Sequence, residues 1–536
     1  MRKKHLQLII ASAMFIMLLL SGCGSSQSSA TQQGKNSAAS KAASETNQSN
    51  TITVMVSGKL NPKDASPIES STEMCLYEMV YEPLVKYGQG GAIKPALAER
   101  WNVSDDGTQY TFHLRKDVKF SDGTNFNADS VVSSAKHWDP SSFSSPLTNV
   151  EKLDDYTVKL TFQDNCYPVL IELTYPRPYR IASENSFDSK ANFVSMIGTG
   201  EWMVESYTPE EEVIMVPNPY YYKEKPNIQK IIIKKVTDNE SRIMALQSGE
   251  ADLSLADLPA ESKSIIKSSN KLTTLTTKST MGFFLILNQE NTVFQDQNVR
   301  LAVNYALDRN SIVKNIFGGN AVVAKGILPA TVPYVTGQNS EGYSYSIDKA
   351  KELLAKSGYI DSDGDGIVEK DGTPLSLKLV FQSEEYASWK SICEYLQSAA
   401  KELGIDIRLE QRDISAYYDA IWKNRDFDMI IYRTYSDSWN PHGFLRSMFY
   451  QSEGDTSVCW YNSQLNQYLD EVIKIQDETA RQTKYNQIFK LIDNYAPVIP
   501  LCYPNKEYVY NTRLKNVAAA PTTYEGIEWQ LIAISK

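Results

Sequence analysis

The sequence has little histidine and lacks the short motifs that carry common enzyme chemistry. Four histidines occur in 536 residues; His5 lies near the N-terminus, which leaves His113, His137 and His442. Acid–base relays and zinc sites both rely on histidine. The sequence contains no HExxH, GxSxG, P-loop, GxGxxG or CxxC pattern. These absences argue against the common hydrolase, nucleotide-binding and thiol-redox classes, and we expect a protein that is not an enzyme.

Cysteine is also scarce, and the spacing of the cysteines suggests neither a disulfide framework nor a zinc site. Of six cysteines, Cys23 stands near the N-terminus and the other five are scattered: Cys75, Cys166, Cys393, Cys459 and Cys502. An odd number without CxxC spacing argues against a disulfide scaffold or a zinc ribbon. We expect most of them to be buried apolar residues, and a Cys459–Cys502 pair stays open.

No basic stripe is present. The formal net charge is −10, so nothing in the chain is suited to neutralising a run of phosphates. Nucleic acid is therefore not an expected partner. The composition, 42% hydrophobic and 22% charged, is that of a globular protein with enough chain for two or three lobes.

The N-terminus has the pattern of a secretory leader. Basic residues 2–4 precede an apolar run at 6–20, which is too short to cross a bilayer, and Leu-Ser-Gly then precedes Cys23. This arrangement resembles a bacterial lipoprotein cleavage box. We expect residues 1–22 to be a signal peptide, Cys23 to carry acyl chains, and residues 23–50, which have almost nothing to bury, to be a disordered tether.

The stretch 432–448, YRTYSDSWNPHGFLRSM, is the strongest candidate for ligand binding. An apolar run before it predicts a buried strand, and an Asn-Pro turn within it precedes an apolar pattern of helical period. Tyr435, Asp437 and Trp439 are therefore expected on a loop at the end of a strand, where ligands collect in open α/β domains. A surface turn over packed aromatics is the alternative.

Strand and helix patterns alternate along the rest of the chain and indicate an α/β protein. Strands are predicted at 51–56, 155–162, 228–236, 281–288, 376–381, 406–411 and 498–503, and helices at 240–252, 298–317, 348–356, 389–404, 465–475 and 483–495.

Several motifs together resemble one family. They are WNVSDDG, YTFHLR and VKFSDG between residues 101 and 123, IGTGEW from 197, NPYYYKEKP from 218 and the helix at 240–252. With the stretch 432–448, they resemble the family 5 solute-binding proteins of ABC importers, which capture oligopeptides, dipeptides and nickel chelates outside the membrane. The resemblance covers essentially all of 51–531.

The resemblance implies an α/β, two-lobed type II (class C) periplasmic-binding-protein-like fold with a hinge and an extra subdomain in the first lobe. The first lobe is expected at 51–287, with the inserted subdomain at about 84–205. The second lobe is expected at 288–507, and residues 508–536 are expected to return to the first lobe.

Two strings, MVYEPLVKY from 79 and YPRPYR from 175, resemble the nickel-binding branch of the family. By that resemblance, Met74 lines the pocket, Arg177 grips a carboxylate of the chelator, and Tyr435 and Trp439 frame the chelate. A core methionine is the alternative for Met74. In the peptide-binding branch, an aspartate at the position of Asp437 binds the α-ammonium of the ligand.

Two features of the nickel branch are missing. Residues 140–146 supply no basic side chain, and residues 451–454 supply no histidine that could touch a metal. His442 stands at the expected start of a helix and is interpreted as a helix residue. The chain therefore combines features of both branches.

The resemblance implies a lipid-anchored binding protein on the outer face of the cell membrane. Its expected ligand is a nickel or other transition-metal chelate with an amino-acid-type chelator; an oligopeptide or dipeptide is the alternative, and a carboxylate-based extracellular hydrolase is a third reading. No cofactor is required. The expected partners are a permease and an ATPase of an ABC importer, and the protein itself is expected to be a monomer.

A run of acids at 361–366, DSDGDG, resembles an oxygen-coordinating calcium loop. Asp361, Asp363 and Asp365 occupy its first, third and fifth positions, and a glycine at the sixth permits the sharp turn. The twelfth position is Gly372 and not the usual glutamate. A structural calcium site and a plain hairpin therefore both stay open.

Overall fold

Two large β-sheets organise the fold, which we describe from a computed structural model. One sheet has seven strands and the other six. The structure describes residues 50–67, 72–88, 91–140, 143–176, 178–258, 262–435, 439–452, 456–521 and 526–535. The predicted signal peptide, Cys23 and nearly all of the predicted tether lie outside these residues, whereas residues 49–536 form one compact unit.

The first sheet is built around the strand predicted at 51–56. This strand pairs in parallel with Lys230–Lys235 on one side and Leu253–Ser254 on the other. Its side chains alternate at the N-terminal end and are then buried on both faces, as expected of a central strand. In spatial order the sheet contains Leu272–Thr277, Lys506–Asn511, Leu253–Ser254, Thr51–Val56, Lys230–Lys235, Glu212–Pro217 and Trp202–Thr208.

The second sheet is built from the predicted apolar strands. Phe283–Leu287 is buried at every position because neighbouring strands and helices cover it on both sides. Ser376–Phe381 runs parallel to both of its neighbours, as the alternation of strands and helices predicts. In spatial order the strands are Ala321–Val323, Val498–Pro504, Phe283–Leu287, Met429–Arg433, Ser376–Phe381 and Asp406–Gln411.

A four-stranded antiparallel sheet carries the family motifs between residues 101 and 123. The side chain of Asp106 accepts hydrogen bonds from Thr108 and Ser104, and Gly107 takes a φ of 71°, which a side chain would oppose. In spatial order the strands are Ala98–Val103, Gln109–Leu114, Thr157–Phe162 and Leu147–Asp154. Three two-stranded pairs complete the β-structure: Val85–Tyr87 with Ile93–Pro95, Glu369–Lys370 with Thr373–Pro374, and Leu514–Lys515 with Ala533–Ile534.

Helices cover the sheets, and most begin at a side-chain cap. They are Cys75–Val80, Ala128–Ala135, Val169–Glu172, Asn239–Ser248, Ser262–Ser268, Gln297–Tyr305, Arg309–Ser311, Ile347–Lys356, Ser388–Lys401, Ile414–Asp419, Pro441–Phe449, Ser463–Val472 and Glu478–Tyr495, with π-helical turns at Ile312–Ile316 and Ala420–Asn424. Among the described residues, no helix is both long enough and apolar enough to span a membrane.

The predicted long helix at 298–317 is wrong, because the chain breaks between two shorter helices. Gln297–Tyr305 ends, and a new helical segment starts at Arg309. The side chain of Asp308 caps that segment by accepting a hydrogen bond from the amide of Asn310. The buried guanidinium of Arg309 donates to the backbone oxygen of Asn304, which stabilises the break.

The chain crosses between the two large sheets twice. Residues 278–282 lead from Leu272–Thr277 to Phe283–Leu287, and Asn505 alone makes the return crossing. The crossings run side by side, because the strands before and after them pair with each other. This arrangement is the two-lobed α/β fold with a hinge that the sequence predicts; the lobe boundaries at 287 and 507 stay predictions.

The four-stranded sheet shares its apolar core with the second large sheet. One continuous buried group includes Phe112 and Leu160 from the former and Phe284 and Ile430 from the latter. A separate group surrounds the first large sheet, with Val54 at its centre. The segment predicted as a subdomain of the first lobe therefore packs against the second lobe in this structure.

Candidate functional site

A cavity of about 970 Å³ lies between the two large sheets. One wall is formed by residues that follow strands of the first sheet, including Ser57 and Leu255, and the other by residues 383–388 after a strand of the second. Ser279 and Asn505 from the two crossings also line it. The cavity thus lies beyond the carboxyl ends of parallel strands in both lobes, which is where open α/β folds bind ligands.

Charged groups of the first lobe line this cavity, among them Lys506, Asp257 and Glu73. Lys506 Nζ is 2.7 Å from Asp257 Oδ1. Burial would lower the pKa of Lys506, but the Asp257 carboxylate raises it, and the net shift is upward. Glu73 accepts a hydrogen bond of 2.6 Å from the amide of Gly58, and burial raises its pKa. The cavity therefore offers polar groups of both signs.

Met74 lies directly before the helix Cys75–Val80, next to Glu73 in the cavity wall. Its side chain is half-buried, unlike Leu76 and Met79 of the same helix, which are fully buried. Met74 itself is not among the residues lining the cavity. Its role as a pocket residue stays a prediction.

Tyr435 lies on the loop between the strand Met429–Arg433 and the helix Pro441–Phe449, as predicted. Its ring makes an edge contact with Phe444, with centroids 5.3 Å apart. The hydroxyl of Ser447 donates to its phenolic oxygen at 3.1 Å. The ring is therefore held against the helix that follows the loop.

Trp439 lies on the same loop and reaches across to another part of the chain. Its ring centroid is 5.4 Å from that of Tyr87, at the end of the strand Val85–Tyr87. Gly91 is also close, because a Cβ at this residue would lie 3.6 Å from the Trp439 ring. The indole N–H of Trp439 is buried and has no hydrogen-bond partner among the described residues. Trp439 thus joins the candidate ligand loop to the segment before the four-stranded sheet.

Arg177, Asp437 and Cys23 lie outside the described residues. Their predicted roles in binding a carboxylate, binding an ammonium group and anchoring the chain stay predictions. Described residues near Arg177 and Asp437 in the sequence are nevertheless in contact. Asn440 Nδ2 donates a hydrogen bond of 3.4 Å to Glu172 Oε1, so the residue five positions before Arg177 contacts the residue three positions after Asp437.

Glu172 was not identified from the sequence. It is the last residue of the helix Val169–Glu172, is 3% exposed, and also accepts hydrogen bonds from the amide and hydroxyl of Ser144. Burial raises its pKa to about 7, against the opposing effect of the Ser144 donors. No periodic pattern marks such a residue, since its partners come from distant parts of the chain.

The acidic turn at 361–366 is exposed and lies far along the chain from the loop that carries Tyr435 and Trp439. Asp361, Asp363 and Glu369 have carboxylate oxygens that all lie within 4.8 Å of one another. Asp365 is not in this group, and its side chain accepts from the amide of Ile367 instead. The sequence thus missed Glu369, which is brought in by a bridge between its backbone and that of Ile360.

His442 lies in the first turn of the helix Pro441–Phe449, as predicted, and is fully buried. Its Nε2 donates to the backbone oxygen of Leu469 at 3.1 Å, and burial lowers its pKa to about 3. All five described cysteines are buried free thiols, so Cys459 and Cys502 do not form a disulfide.

Two α/β lobes, joined by paired crossings and enclosing a polar cavity, define the class of two-lobed periplasmic binding proteins, and solved members of that class share this fold. The model of the bacterial extracellular solute-binding proteins, family 5 Middle, matches residues 92–456. The chain belongs to this family, as the motifs predict.

Individual relatives extend over almost the whole chain. The nickel-binding periplasmic protein of Escherichia coli K12 is 31% identical over 484 residues, covering 87% of this chain and 91% of the relative. The oligopeptide-binding protein AppA of Bacillus subtilis 168 is 27% identical over 551 residues, covering 98% and 97%. The crystal structure of NikA from Brucella suis in complex with Fe(III)-EDTA superposes with a TM-score of 0.82 at 26% identity, covering 90% of this chain and 100% of NikA.

Proposed function

We propose that this chain is a lipid-anchored extracytoplasmic binding protein of an ABC importer that captures a nickel or other transition-metal chelate with an amino-acid-type chelator. The observation that carries the proposal is the aromatic loop after Met429–Arg433, with Tyr435 and Trp439 at the two positions expected from the nickel branch. The nickel-binding relative, at 31% identity, supports it.

In this proposal the loop and the segment at 175–180 hold the chelate from two sides. Tyr435 and Trp439 pack against its flat faces, while Arg177 takes a chelator carboxylate in a bidentate pair. Asp437 takes an amino group of the chelator, and the Met74 thioether contacts its apolar part. No resident cofactor is needed, because the metal arrives as part of the ligand.

Capture is followed by closure of the lobes at the two crossings. Asn505 is fixed at the return crossing by hydrogen bonds to the backbone oxygen and side chain of Asn320. The rotation of one lobe relative to the other therefore changes the backbone dihedral angles of residues 278–282 and of the peptide groups on either side of Asn505. The closed form then docks on a permease driven by a separate ATPase, and an acylated Cys23 keeps the monomeric protein at the outer face of the membrane.

A short peptide is the second ligand candidate. Asp437 stands four residues before Pro441, as in the peptide branch, and the AppA relative supports this reading. A carboxylate-based hydrolase has less support, since the relatives are named as binding proteins and not as enzymes.

Calorimetric titration of the chain from residue 24 onward separates the two ligand classes. The titrants are nickel alone, nickel with histidine, and a pool of tripeptides and tetrapeptides. We expect heat only with nickel and histidine together, and loss of that heat in Arg177→Ala. Binding of peptides that is abolished in Asp437→Ala would contradict the chelate proposal and place the protein in the peptide branch.

We also propose that the acidic turn holds a structural calcium ion through Asp361, Asp363 and Glu369, with a plain hairpin as the alternative. Calcium at about one hundred times its dissociation constant would then raise the free energy of unfolding by about 2.7 kcal/mol. Thermal unfolding with and without calcium measures this, and Asp361→Asn should lose the difference. An equal melting temperature in both conditions would establish the plain hairpin.

A further inference from the structure

Arg433 lies beside the candidate site, at the carboxyl end of the strand Met429–Arg433. Its register partner in the neighbouring strand is Phe283, which lines the cavity. Arg433 Nε donates a hydrogen bond of 2.9 Å to the hydroxyl of Tyr386, another lining residue. Arg433 is not itself among the residues lining the cavity, and its guanidinium lies behind the wall at Tyr386, two residues before Tyr435.

Arg433 has no anionic partner in the part of the chain that the structure describes. The nearest acid in the cavity loop, Glu385, accepts hydrogen bonds from Gln382 at 3.0 Å and from Tyr418 at 2.8 Å, and it makes no ion pair with Arg433. Only one of the five N–H groups of Arg433, the Nε group, has a partner there. Both Nη atoms stay available for a ligand.

Two other arginines of the second lobe, Arg412 and Arg309, differ from Arg433 because acids or backbone oxygens accept hydrogen bonds from their guanidinium groups. Arg412 forms ion pairs with Glu410 at 2.6 Å and Asp426 at 2.7 Å. Arg309, which is fully buried, donates to several backbone oxygens. Arg433 is half-buried, and four of its donors have no partner among the described residues, so they can still bind a ligand.

Tyrosine rings fix the orientation of this guanidinium. Arg433 Cζ lies 5.7 Å from the ring centroid of Tyr432 and 5.7 Å from that of Tyr435. Burial would lower the pKa of Arg433, but the tyrosines and Glu385 raise it, and the net shift is upward, so the group stays cationic. A planar cation already positioned by a hydrogen bond and by neighbouring rings loses little freedom when it forms a bidentate pair.

We propose that Arg433 is a specificity-determining residue that binds a carboxylate of the captured ligand through its two Nη groups. This inference rests on the proposed function and narrows its ligand class. Because Arg177 is already proposed to take one carboxylate, the ligand carries two, as in a metal bound by two amino-acid chelators or a peptide with an acidic side chain. The competing hypothesis is that Arg433 does not contact the ligand and only orders the loop around Tyr386.

The test compares carboxylate ligands with their amides in the full chain, for wild type, Arg433→Gln and Arg433→Lys. Nickel is titrated with histidine and with histidinamide, and a tetrapeptide pool is titrated with free and amidated carboxyl groups. Arg446→Gln is the matched control, since Arg446 lies on the surface of the adjacent helix and pairs with Asp470 at 3.3 Å.

We expect Arg433→Gln to bind the carboxylate ligand about tenfold or more weakly than wild type does, with little change for the amide. The amidation factor, which is the affinity for the carboxylate ligand divided by the affinity for its amide, should therefore be smaller in this variant. Arg433→Lys keeps the charge without the planar fork and should lie between wild type and Arg433→Gln. The ligand class in which the factor shrinks, nickel chelate or peptide, identifies the source of the carboxylate.

An amidation factor equal to that of wild type in Arg433→Gln would overturn the proposal while leaving the proposed function intact. Equal weakening for both forms, with a lower melting temperature, would assign Arg433 to loop order instead. Failure of wild type to bind any of these ligands would overturn the proposed function itself.

Discussion

At the scale of single residues, the contact between Trp439 and Tyr87 is the most informative feature of the candidate ligand loop. It joins the ligand loop of the second lobe to a strand 352 positions earlier in the chain. The contact fixes this loop against the segment before the four-stranded sheet, in which Leu84 and Val85 share the core of the second large sheet.

Trp439→Ala should therefore weaken ligand binding more than it weakens the fold. Loss of the ring removes a side chain that we propose packs against the chelate, and we expect affinity to fall about tenfold, with about 1 kcal/mol lost from the free energy of unfolding. Calorimetry and urea denaturation measure the two effects. Trp422→Ala is the control, because Trp422 is 44% exposed and lies outside the loop; an equal loss of affinity in both variants would contradict the assignment.

Glu172 makes stability depend on pH in a defined direction. Burial raises its pKa from 4.5 to about 7, so the folded chain binds a proton that the unfolded chain has released. The contribution of Glu172 to the free energy of unfolding is then most favourable below pH 4.5. It falls as the pH rises towards 7 and is constant above that value.

Glu172→Gln should remove this dependence while keeping an acceptor for Ser144. Between pH 4.5 and pH 8, the free energy of unfolding of wild type should fall by roughly 3 kcal/mol more than that of the variant. Urea midpoints at several pH values measure the difference. Glu394→Gln, at an exposed site, should follow wild type; parallel curves for wild type and Glu172→Gln would show that the carboxyl does not titrate in this range.

The sequence was sufficient to place Tyr435 and Trp439 on their loop, because a buried strand and an Asn-Pro turn are local signals. It was not sufficient to find Glu172 or Arg433. Glu172 depends on Asn440, 268 positions away, and Arg433 on Tyr386, 47 positions away. Their significance comes from burial and from the partners that folding brings to them.

At the scale of elements, strands were predicted closely because each is a short apolar or alternating run. Ser376–Phe381 and Asp406–Gln411 have the predicted bounds. The helix predicted at 298–317 failed because its apolar period continues across the break. The break depends on Asp308 as a cap and on Arg309, which reaches Pro500 on a distant strand.

The helix Asn239–Ser248 ends where glycine permits a left-handed residue. Gly249 has a φ of 80°, and no atom lies within 4 Å of the place a Cβ would occupy. Gly249→Ala should therefore destabilise the fold by roughly 1 kcal/mol through backbone strain alone. Gly337→Ala, also in open space but without a positive φ, should be near neutral in the same denaturation series; equal stabilities would contradict the strain argument.

At the scale of the whole molecule, the account depends on a cavity enclosed by two lobes. The motifs were enough to predict the two lobes and the hinge. They could not predict that the four-stranded sheet, expected as part of the first lobe, shares its core with the second. The hydroxyls of Tyr167 and Tyr485, 2.7 Å apart, add to that contact. This packing arises from surfaces that no local pattern describes.

Direct competition between the two ligand classes tests the central claim. The chain from residue 24 onward is mixed with nickel, histidine and a tetrapeptide pool together, and native mass spectrometry records the mass retained by the folded protein. The account predicts one added mass equal to nickel with its chelator and no added peptide. Retention of a peptide without metal would contradict it and identify the protein as a peptide-binding member of its family.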